Sequence, residues 1–207
     1  MDLITTDVPS RPNLSTDEQG TRNGDHIEFS NGTCALGEIL IARSSIGICA
    51  ILFGSNAEEL EGDLAARFPD SNLIRNEHGL RDDLSKVVRF VAAPNAGLEL
   101  MIDMRGTPFE RRVWNALRTI PVGKPLTYAQ LACRISEPKS VRAIARACAA
   151  NPIALAIPCH RVIGHNGTLT GYRWGIERKL ALINRETATV RSIIASSASA
   201  MCRPSDV

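Results

Sequence analysis

Apolar side chains come in two dense runs near the start of the chain, GEILIA at 37–42 and ICAILF at 48–53. Both runs are rich in Ile and Leu, and a short segment containing Ser and Gly separates them. This pattern predicts two strands joined by a turn. The run LELMID at 98–103 predicts a further strand.

Between these strands lie two segments whose apolar residues recur three and four positions apart, AEELEGDLAARF and GLRDDLSKVVRFVA. That spacing places the apolar side chains on one face of an α-helix. Residues 30–104 are therefore predicted to form a small α/β domain, a strand meander with one or two helices.

From residue 105 the patterning becomes mostly helical. The segment TPFERRVWNALRTI has apolar residues at 109, 113, 114 and 117, and Pro121 and Gly123 follow it, which predicts a helix that stops there. TYAQLACRI then carries a capping box, with Thr127 as the N-cap residue and Gln130 three positions later.

The next predicted helix, KSVRAIARACAAN, places its apolar side chains and its arginines on different faces. Val141, Ile144 and Cys148 fall on one side, whereas Arg142 and Arg146 fall together on another. Two short helices with a tight break between them, the second carrying arginines, match a helix-turn-helix, although such pairs also occur in proteins that bind no DNA.

Beyond this helix pair, IALAIP reads as a buried strand, and HNG at 165–167 predicts a turn within a small hairpin. IERKLALINRE predicts a final amphipathic helix. Residues 105–188 are thus predicted to form one helix-turn-helix domain.

Both ends of the chain are polar or built of small residues. Residues 1–29 are predicted to be a disordered extension, and residues 189–207 a flexible tail. No run is long and apolar enough to span a bilayer or to resemble the core of a signal peptide, so the sequence predicts a cytoplasmic protein.

The net charge of +2 conceals an uneven distribution. Residues 1–104 hold 8 Lys and Arg against 17 Asp and Glu, whereas residues 105–186 hold 14 against 4. A basic half beside an acidic half favours a polyanion partner for the basic half, most often nucleic acid, over a solvated cationic face.

The six cysteines include no C-x-x-C pair, so the sequence predicts neither disulfides nor a zinc site. Cys34, Cys49, Cys133 and Cys148 stand among apolar or small residues and are predicted to be small buried hydrophobes.

Cys159 is followed directly by His160 and then by Arg161. A neighbouring imidazole or cation lowers the pKa of a thiol and makes it a stronger nucleophile. Adjacent side chains of an extended chain point to opposite sides, so contact would need a bend or a bridging water. The dipeptide by itself fits an inert buried cysteine equally well.

The segment NPIALAIPCHRVIG resembles the active-site signature of the O6-alkylguanine-DNA alkyltransferases, also called methylated-DNA–protein-cysteine methyltransferases. The resemblance covers about residues 34–186, including RGTPFERRVWNALRTIPVGKPLTYAQLA and GYRWG, and is nearest to the alkyltransferase half of Ada-type proteins. It implies a ribonuclease-H-like α/β domain followed by a mostly α, winged-helix-like domain. It also implies single-turnover transfer of an alkyl group from O6-alkylguanine, or O4-alkylthymine, in DNA.

The resemblance assigns catalytic roles to matching positions. Cys159 would accept the alkyl group, and His160 would take the thiol proton through a water while Glu186 holds the imidazole. Tyr128 would donate a hydrogen bond to the extruded guanine, and Asn151 would be a hinge beside the arginine helix. Without the resemblance, Glu186 fits a solvated carboxylate, Tyr128 fits half-buried packing and Asn151 fits an ordinary helix end.

The resemblance also implies a DNA interface in the minor groove. Arg142 would enter the base stack and fill the gap left by the extruded nucleotide, and Thr127 and Ala143 would lie at the interface. Arg146 and Arg161 would be structural or would face phosphates.

Tyr172 and Trp174 would line the base pocket, with Trp174 narrowing it against bulky alkyl groups. The family implies no cofactor and no metal, and a monomer that binds damaged duplex DNA. Two alternatives remain open at this point: a cysteine hydrolase using Cys159, His160 and Glu186, and a DNA-lesion sensor without enzymatic activity.

Overall fold

The computed structural model describes residues 24–169 and 171–201, with the backbone alone for residues 193–201. Its first half is built on a four-stranded sheet. The strands are β1 (His26–Cys34), β2 (Gly37–Arg43), β3 (Ile48–Gly54) and β4 (Asn72–Arg75). Their spatial order is β3–β2–β1–β4, antiparallel except for the parallel pair of β1 and β4. The two predicted strands joined by a turn are confirmed as β2 and β3.

Two helices cover this sheet, and both were expected from their spacing. Helix α1 (Ala57–Arg67) and helix α2 (Glu77–Ala92) each begin at an asparagine whose side chain accepts a backbone N–H of the first turn. Such caps satisfy donors that have no partner inside the helix. The buried faces carry Leu60 and Leu64 in α1, and Leu80, Val87, Phe90 and Val91 in α2.

Three features of the first half differ from the sequence predictions. Strand β1 begins at His26, inside the segment 1–29 predicted to be disordered; residues 1–23 lie outside the described residues. Strand β4 was not predicted, because its four residues are too few to show a period. The run LELMID forms no strand and joins β3 only through one bridge between Ile48 and Ile102.

The second half is mostly helical, as predicted. Its elements are α3 (Pro108–Arg118), α4 (Tyr128–Arg134), α5 (Val141–Ala150), α6 (Ile176–Met201) and the two-residue parallel strands β5 (Leu126–Thr127) and β6 (Val162–Ile163). The capping box of Thr127 and Gln130 is present, and a second one starts α3. The indole N–H of Trp114 donates to the Ala147 carbonyl at 2.8 Å and ties α3 to α5.

Residues 152–157 are not the predicted buried strand. Only Ile153 pairs with the sheet, through a bridge to Ile51, and Leu155 then turns the chain with a φ of 67°. Cys159 lies in a short 3-10 helix, Cys159–Arg161, and the HNG segment closes a turn without a hairpin.

Helix α6 continues to Met201, beyond the predicted domain end at 188. The Thr187 and Thr189 hydroxyls donate to the carbonyls of Ile183 and Arg185, so these residues join the helix rather than leave it. The remainder of the predicted tail, including Cys202, lies outside the described residues. No helix within the described ranges is long and apolar enough to cross a membrane.

Candidate active site

Cys159 sits at the centre of the site, 5% exposed, with its sulfur held by a buried amide. The Asn151 side chain donates to the Cys159 sulfur at 3.3 Å and to the Ile157 carbonyl at 2.8 Å, and it accepts the Ile153 N–H at 2.9 Å. Asn151 therefore replaces the ladder partners that a strand would have supplied, and it shapes the loop that presents the thiol.

The thiol is protonated at neutral pH. Burial raises the pKa of Cys159 to about 11, although the Asn151 amide and the Lys179 ammonium both favour the thiolate. A nucleophile in this environment needs a base that removes its proton when substrate is in place.

His160 can be that base. Its Nε2 lies 2.9 Å from Glu186 Oε1, and because an ionised carboxylate only accepts, Nε2 carries the proton and Nδ1 is the acceptor. Nδ1 is buried and has no hydrogen-bond partner within the described residues. Burial lowers the pKa of His160 despite the neighbouring carboxylate, so the imidazole is neutral at pH 7 and free to take a proton.

Glu186 lies in the interior, 1% exposed, and it is not the solvated carboxylate that its sequence suggests. Burial alone would raise the pKa of Glu186. Hydrogen bonds and charge from His160 and Arg161 outweigh burial and bring it down from 4.5 to about 2. The Gly123 N–H also donates to Glu186 at 3.2 Å. The carboxylate is therefore ionised throughout the physiological pH range.

Arg161 belongs to this network and does not face phosphates. Its Nη2 donates to Glu186 Oε1 at 2.8 Å, its Nε donates to both carboxylate oxygens, and its Nη1 donates to the Ile120 carbonyl at 2.6 Å. The residue is only 7% exposed. Of the two roles that the sequence left open for Arg161, the structure supports the structural one and corrects its assignment as a DNA-binding residue.

Lys179 is a member of the site that the sequence does not reveal. It is fully buried, and burial lowers its pKa while the charges of Cys159 and Cys148 oppose that effect. A lysine within an amphipathic helix normally suggests a solvated position. Only its spacing of seven residues from Glu186, two turns along α6, could have placed it on the same face.

A cavity of about 390 Å³ opens above the thiol. Its lining consists of Tyr128, Ala145, Cys148, Ala149, Cys159, Gly171, Tyr172 and Arg173. Tyr128, the first residue of α4, and Tyr172 thus both face the cavity that contains Cys159. The Tyr172 hydroxyl is buried without a hydrogen-bond partner in the described chain. A larger hollow of about 590 Å³ beside β2 contains no cysteine.

Trp174 does not line this cavity, contrary to the sequence prediction. Its ring packs behind Tyr172 with centroids 5.2 Å apart and against Phe53 of β3 at 6.3 Å. Any effect of Trp174 on the cavity must act through Tyr172. Between them, Arg173 reaches the first half of the chain and pairs with Asp63 of α1 at 2.6 Å.

The outer face of the helix pair presents Arg142 and Arg146, both exposed on α5, beside the half-buried Ala143. Thr127 is the N-cap residue of α4. Its hydroxyl oxygen accepts the Gln130 N–H, so one of its hydrogen-bonding positions is used by the cap. Ala147, on the same helix as the two arginines, is 2% exposed and packs inward.

The other cysteines divide into two groups. Cys49 and Cys148 are buried, as predicted, but Cys34 is only half-buried and Cys133 is exposed on α4. The prediction of four buried hydrophobes is therefore wrong for Cys34 and Cys133, because small neighbours in sequence do not ensure a buried position.

The fold and the site together define a protein in which the buried thiol of Cys159 lines a cavity beside a helix pair with exposed arginines. Residues 108–188 match the family model described as the DNA-binding domain of 6-O-methylguanine DNA methyltransferase. The chain is 37% identical over 150 residues to a probable methylated-DNA–protein-cysteine methyltransferase of Acanthamoeba polyphaga mimivirus, covering 72% of this chain and 96% of the relative. The chain belongs to the methylated-DNA–protein-cysteine methyltransferase family.

A second relative is the bifunctional transcriptional activator/DNA repair enzyme Ada of Escherichia coli K12, 44% identical over 160 residues. That match covers 77% of this chain but 45% of Ada, so the chain spans about half the length of the Ada proteins it matches. Among solved structures, Mycobacterium tuberculosis OGT in complex with DNA is similar with a TM-score of 0.62 and 30% identity, covering 79% of this chain and 94% of OGT.

Proposed function

We propose that this protein repairs alkylated DNA by direct reversal, moving the alkyl group from O6 of guanine, or O4 of thymine, to its own Cys159. The observation that carries the proposal is the buried pair in which Glu186 orients His160, the residue directly after Cys159, and leaves its Nδ1 as an acceptor without a partner among the described residues. Family membership supports the same chemistry.

Proton removal comes first. His160 Nδ1 takes the Cys159 proton through a bridging water, and the ionised Glu186 stabilises the imidazolium that forms. Arg161 keeps Glu186 ionised, and the Asn151 amide and Lys179 ammonium stabilise the thiolate.

Transfer follows in one substitution. The thiolate attacks the alkyl carbon, the S–C bond forms, and the C–O bond breaks with its electron pair leaving on guanine. Tyr128, on the rim of the cavity, donates a proton or hydrogen bond to the departing base. The thioether product has no good leaving group, so each molecule turns over once and needs no cofactor.

The lesion must reach the cavity in an extruded conformation, which costs a few kcal/mol of unstacking. We propose that α5 enters the minor groove, that Arg142 fills the gap in the base stack, and that Arg146, Ala143 and Thr127 contact the backbone around it. The exposure of both arginines supports this orientation. Most of the affinity would come from phosphate contacts and would fall steeply with salt.

Family membership also suggests the domain architecture, the oligomeric state and the location of the protein. We propose a ribonuclease-H-like domain over residues 30–104, extended to His26 by β1, followed by a winged-helix-like domain from residue 105. We also propose that the protein acts as a monomer in the cytoplasm; sedimentation of the free protein and of its DNA complex tests the stoichiometry.

The decisive experiment follows labelled methyl groups from O6-methylguanine duplex into protein. Wild type should take up one group per molecule on the Cys159 peptide, Cys159→Ala should take up none, and Cys133→Ala, which removes an exposed thiol, should match wild type. Transfer to Cys159→Ala, or an unmodified Cys159 peptide in wild type, would contradict the proposal. Repeated turnover of a chromogenic ester would instead indicate a cysteine hydrolase.

A further inference from the structure

Cys148 is a second buried thiol in the cavity of Cys159, and the proposed repair reaction does not use it. It lies on the inner face of α5 and is 7% exposed. It lines the same cavity of about 390 Å³ as Cys159, between the pocket alanines Ala145 and Ala149. The chain therefore places two cysteine sulfurs on the wall of one cavity.

Two further groups connect these sulfurs. The ammonium of the fully buried Lys179 acts on both: burial raises the pKa of Cys148 and of Cys159, and the Lys179 charge opposes that rise in each case. The Tyr172 hydroxyl, buried and without a partner within the described residues, lies on the wall of the same cavity. The cluster can stabilise a thiolate at either sulfur and can donate a hydrogen bond to an oxygen bound there.

We propose that Cys148 is a resolving thiol that captures oxidised Cys159 as a disulfide. With a hydroperoxide as oxidant, the Cys159 thiolate attacks the outer oxygen, the O–O bond breaks, and the departing hydroxide or alkoxide takes up the proton released from the thiol. Cys159 becomes a sulfenic acid, oxidised by two electrons, while the peroxide is reduced.

Cys148 then attacks the sulfenic sulfur. The S–S bond forms, the S–O bond breaks, and hydroxide leaves with the Cys148 proton as water. Two thiols and one hydroperoxide thus give one disulfide, one water and one alcohol or second water. The base that activates Cys159 toward an alkyl carbon serves the first step unchanged.

The consequence is that oxidation and alkylation have opposite outcomes at one sulfur. Alkylation is permanent, but a disulfide returns to two thiols when a dithiol reduces it. Without a resolving partner, further peroxide would carry Cys159 to sulfinic acid, which thiols do not reverse. The inference rests on the proposed function only for its activity readout.

The test exposes wild type, Cys148→Ala and Cys133→Ala to hydrogen peroxide, blocks free thiols at low pH, and maps peptides without reduction. In a tryptic digest Cys148 and Cys159 fall on one peptide, residues 147–161. In wild type and Cys133→Ala this peptide should carry an internal disulfide and be about 2 Da lighter than its dithiol form. The samples are then reduced with dithiothreitol, and the fraction of protein that still accepts an alkyl group is compared with that of the same protein before peroxide. This recovered fraction should be at least about twofold higher in wild type than in Cys148→Ala.

Each result decides. An internal disulfide in the peptide of residues 147–161, together with sulfinic acid accumulating in Cys148→Ala, supports the proposal. Equal recovery in the two proteins, or a wild-type map in which Cys159 pairs with Cys133 or with no cysteine, overturns it. The wild-type map requires neither DNA nor alkyl transfer, so failure of this inference is distinguishable from failure of the proposed repair function.

Discussion

Replacing Arg161 by Met should destabilise the fold by about 3 kcal/mol and leave DNA binding unchanged. Met retains the length and apolar character of the side chain but removes the guanidinium that donates to both oxygens of Glu186. Breaking a buried ion pair by removing one partner costs about 3–5 kcal/mol, since the other charge stays buried and uncompensated. His160 and the Gly123 N–H remain on the carboxylate, which places the expected cost at the lower end.

The depressed pKa of Glu186 reflects His160 and Arg161 together, against the opposing effect of burial. A fall from 4.5 to about 2 corresponds to about 3 kcal/mol in favour of the ionised form, at about 1.4 kcal/mol per pH unit, and Arg161 contributes part of it. Because the folded-state pKa is depressed, this stabilisation is present above pH 4.5 and is lost as the pH falls from 4.5 towards 2. In Arg161→Met the folded-state pKa rises, so the difference between variant and wild type should shrink across the same window.

Urea unfolding at pH 7 and again below pH 4 measures this difference. The double variant Arg161→Met with Glu186→Gln should recover part of the loss, because it leaves no buried charge without its partner. Salt titration of DNA binding should give the wild-type slope for Arg161→Met, whereas Arg146→Ala, at the exposed arginine proposed to contact the backbone, should reduce the slope by about one phosphate contact. A stable Arg161→Met variant with a reduced salt slope would refute the assignment of Arg161 to the interior.

Three further predictions test the surroundings of the thiol. Asp63→Asn should weaken the ion pair that holds Arg173 and raise the rate of alkyl transfer from free O6-benzylguanine about twofold or more. Glu58→Gln on the same helix should leave that rate unchanged. Equal rates for the two variants would show that the Arg173–Asp63 pair does not control access to the cavity. Trp174→Leu should increase the ratio of benzyl to methyl transfer by letting Tyr172 retreat, with a loss of about 2–4 kcal/mol in urea unfolding; an unchanged ratio would contradict this. Burial lowers the pKa of His160, so the imidazole should stay neutral at pH 6.5 and the rate of alkyl transfer should not yet fall there. The midpoint of the decline, measured by stopped-flow kinetics, should lie at a pH lower than 6.5. A midpoint at 6.5 would mean a solvated imidazole.

The regular elements were predictable where the period was long enough to measure. Strands β2 and β3 and helices α1 to α5 follow runs in which apolar residues repeat with one spacing, and the capping box at Thr127 marks the start of α4. Strand β1 could not be predicted because most of its residues are polar or small. Of its nine residues only Ile27, Phe29 and Ser30 are buried. Here the sheet, rather than the local pattern, determines the structure.

Only some residues of the candidate site, and not its geometry, could be predicted from the sequence. Cys159, His160 and Glu186 could be named through the resemblance, yet the sequence could not tell that Arg161 points inward, since an arginine in a basic region fits a phosphate contact equally well. Lys179 could not be recognised for the related reason that a lysine on an amphipathic helix usually lies in water. In both cases a contact with residues distant in sequence determines that the charged side chain is buried.

Residues 24–104, the described part of the acidic first half, supply no side chain to the lining of the thiol cavity, yet they hold the segments on either side of the thiol. Its strand β3 binds the loop before Cys159, where Ile51 exchanges backbone hydrogen bonds with Pro152 and Ala154. It also binds the segment after Cys159, because Arg178 donates to the carbonyls of Leu36 and Gly54 as well as to that of Trp174. A buried nucleophile must be positioned to within a fraction of an ångström, and loops alone rarely achieve this. The first half thus serves as the rigid support against which the catalytic loops of the second half are fixed.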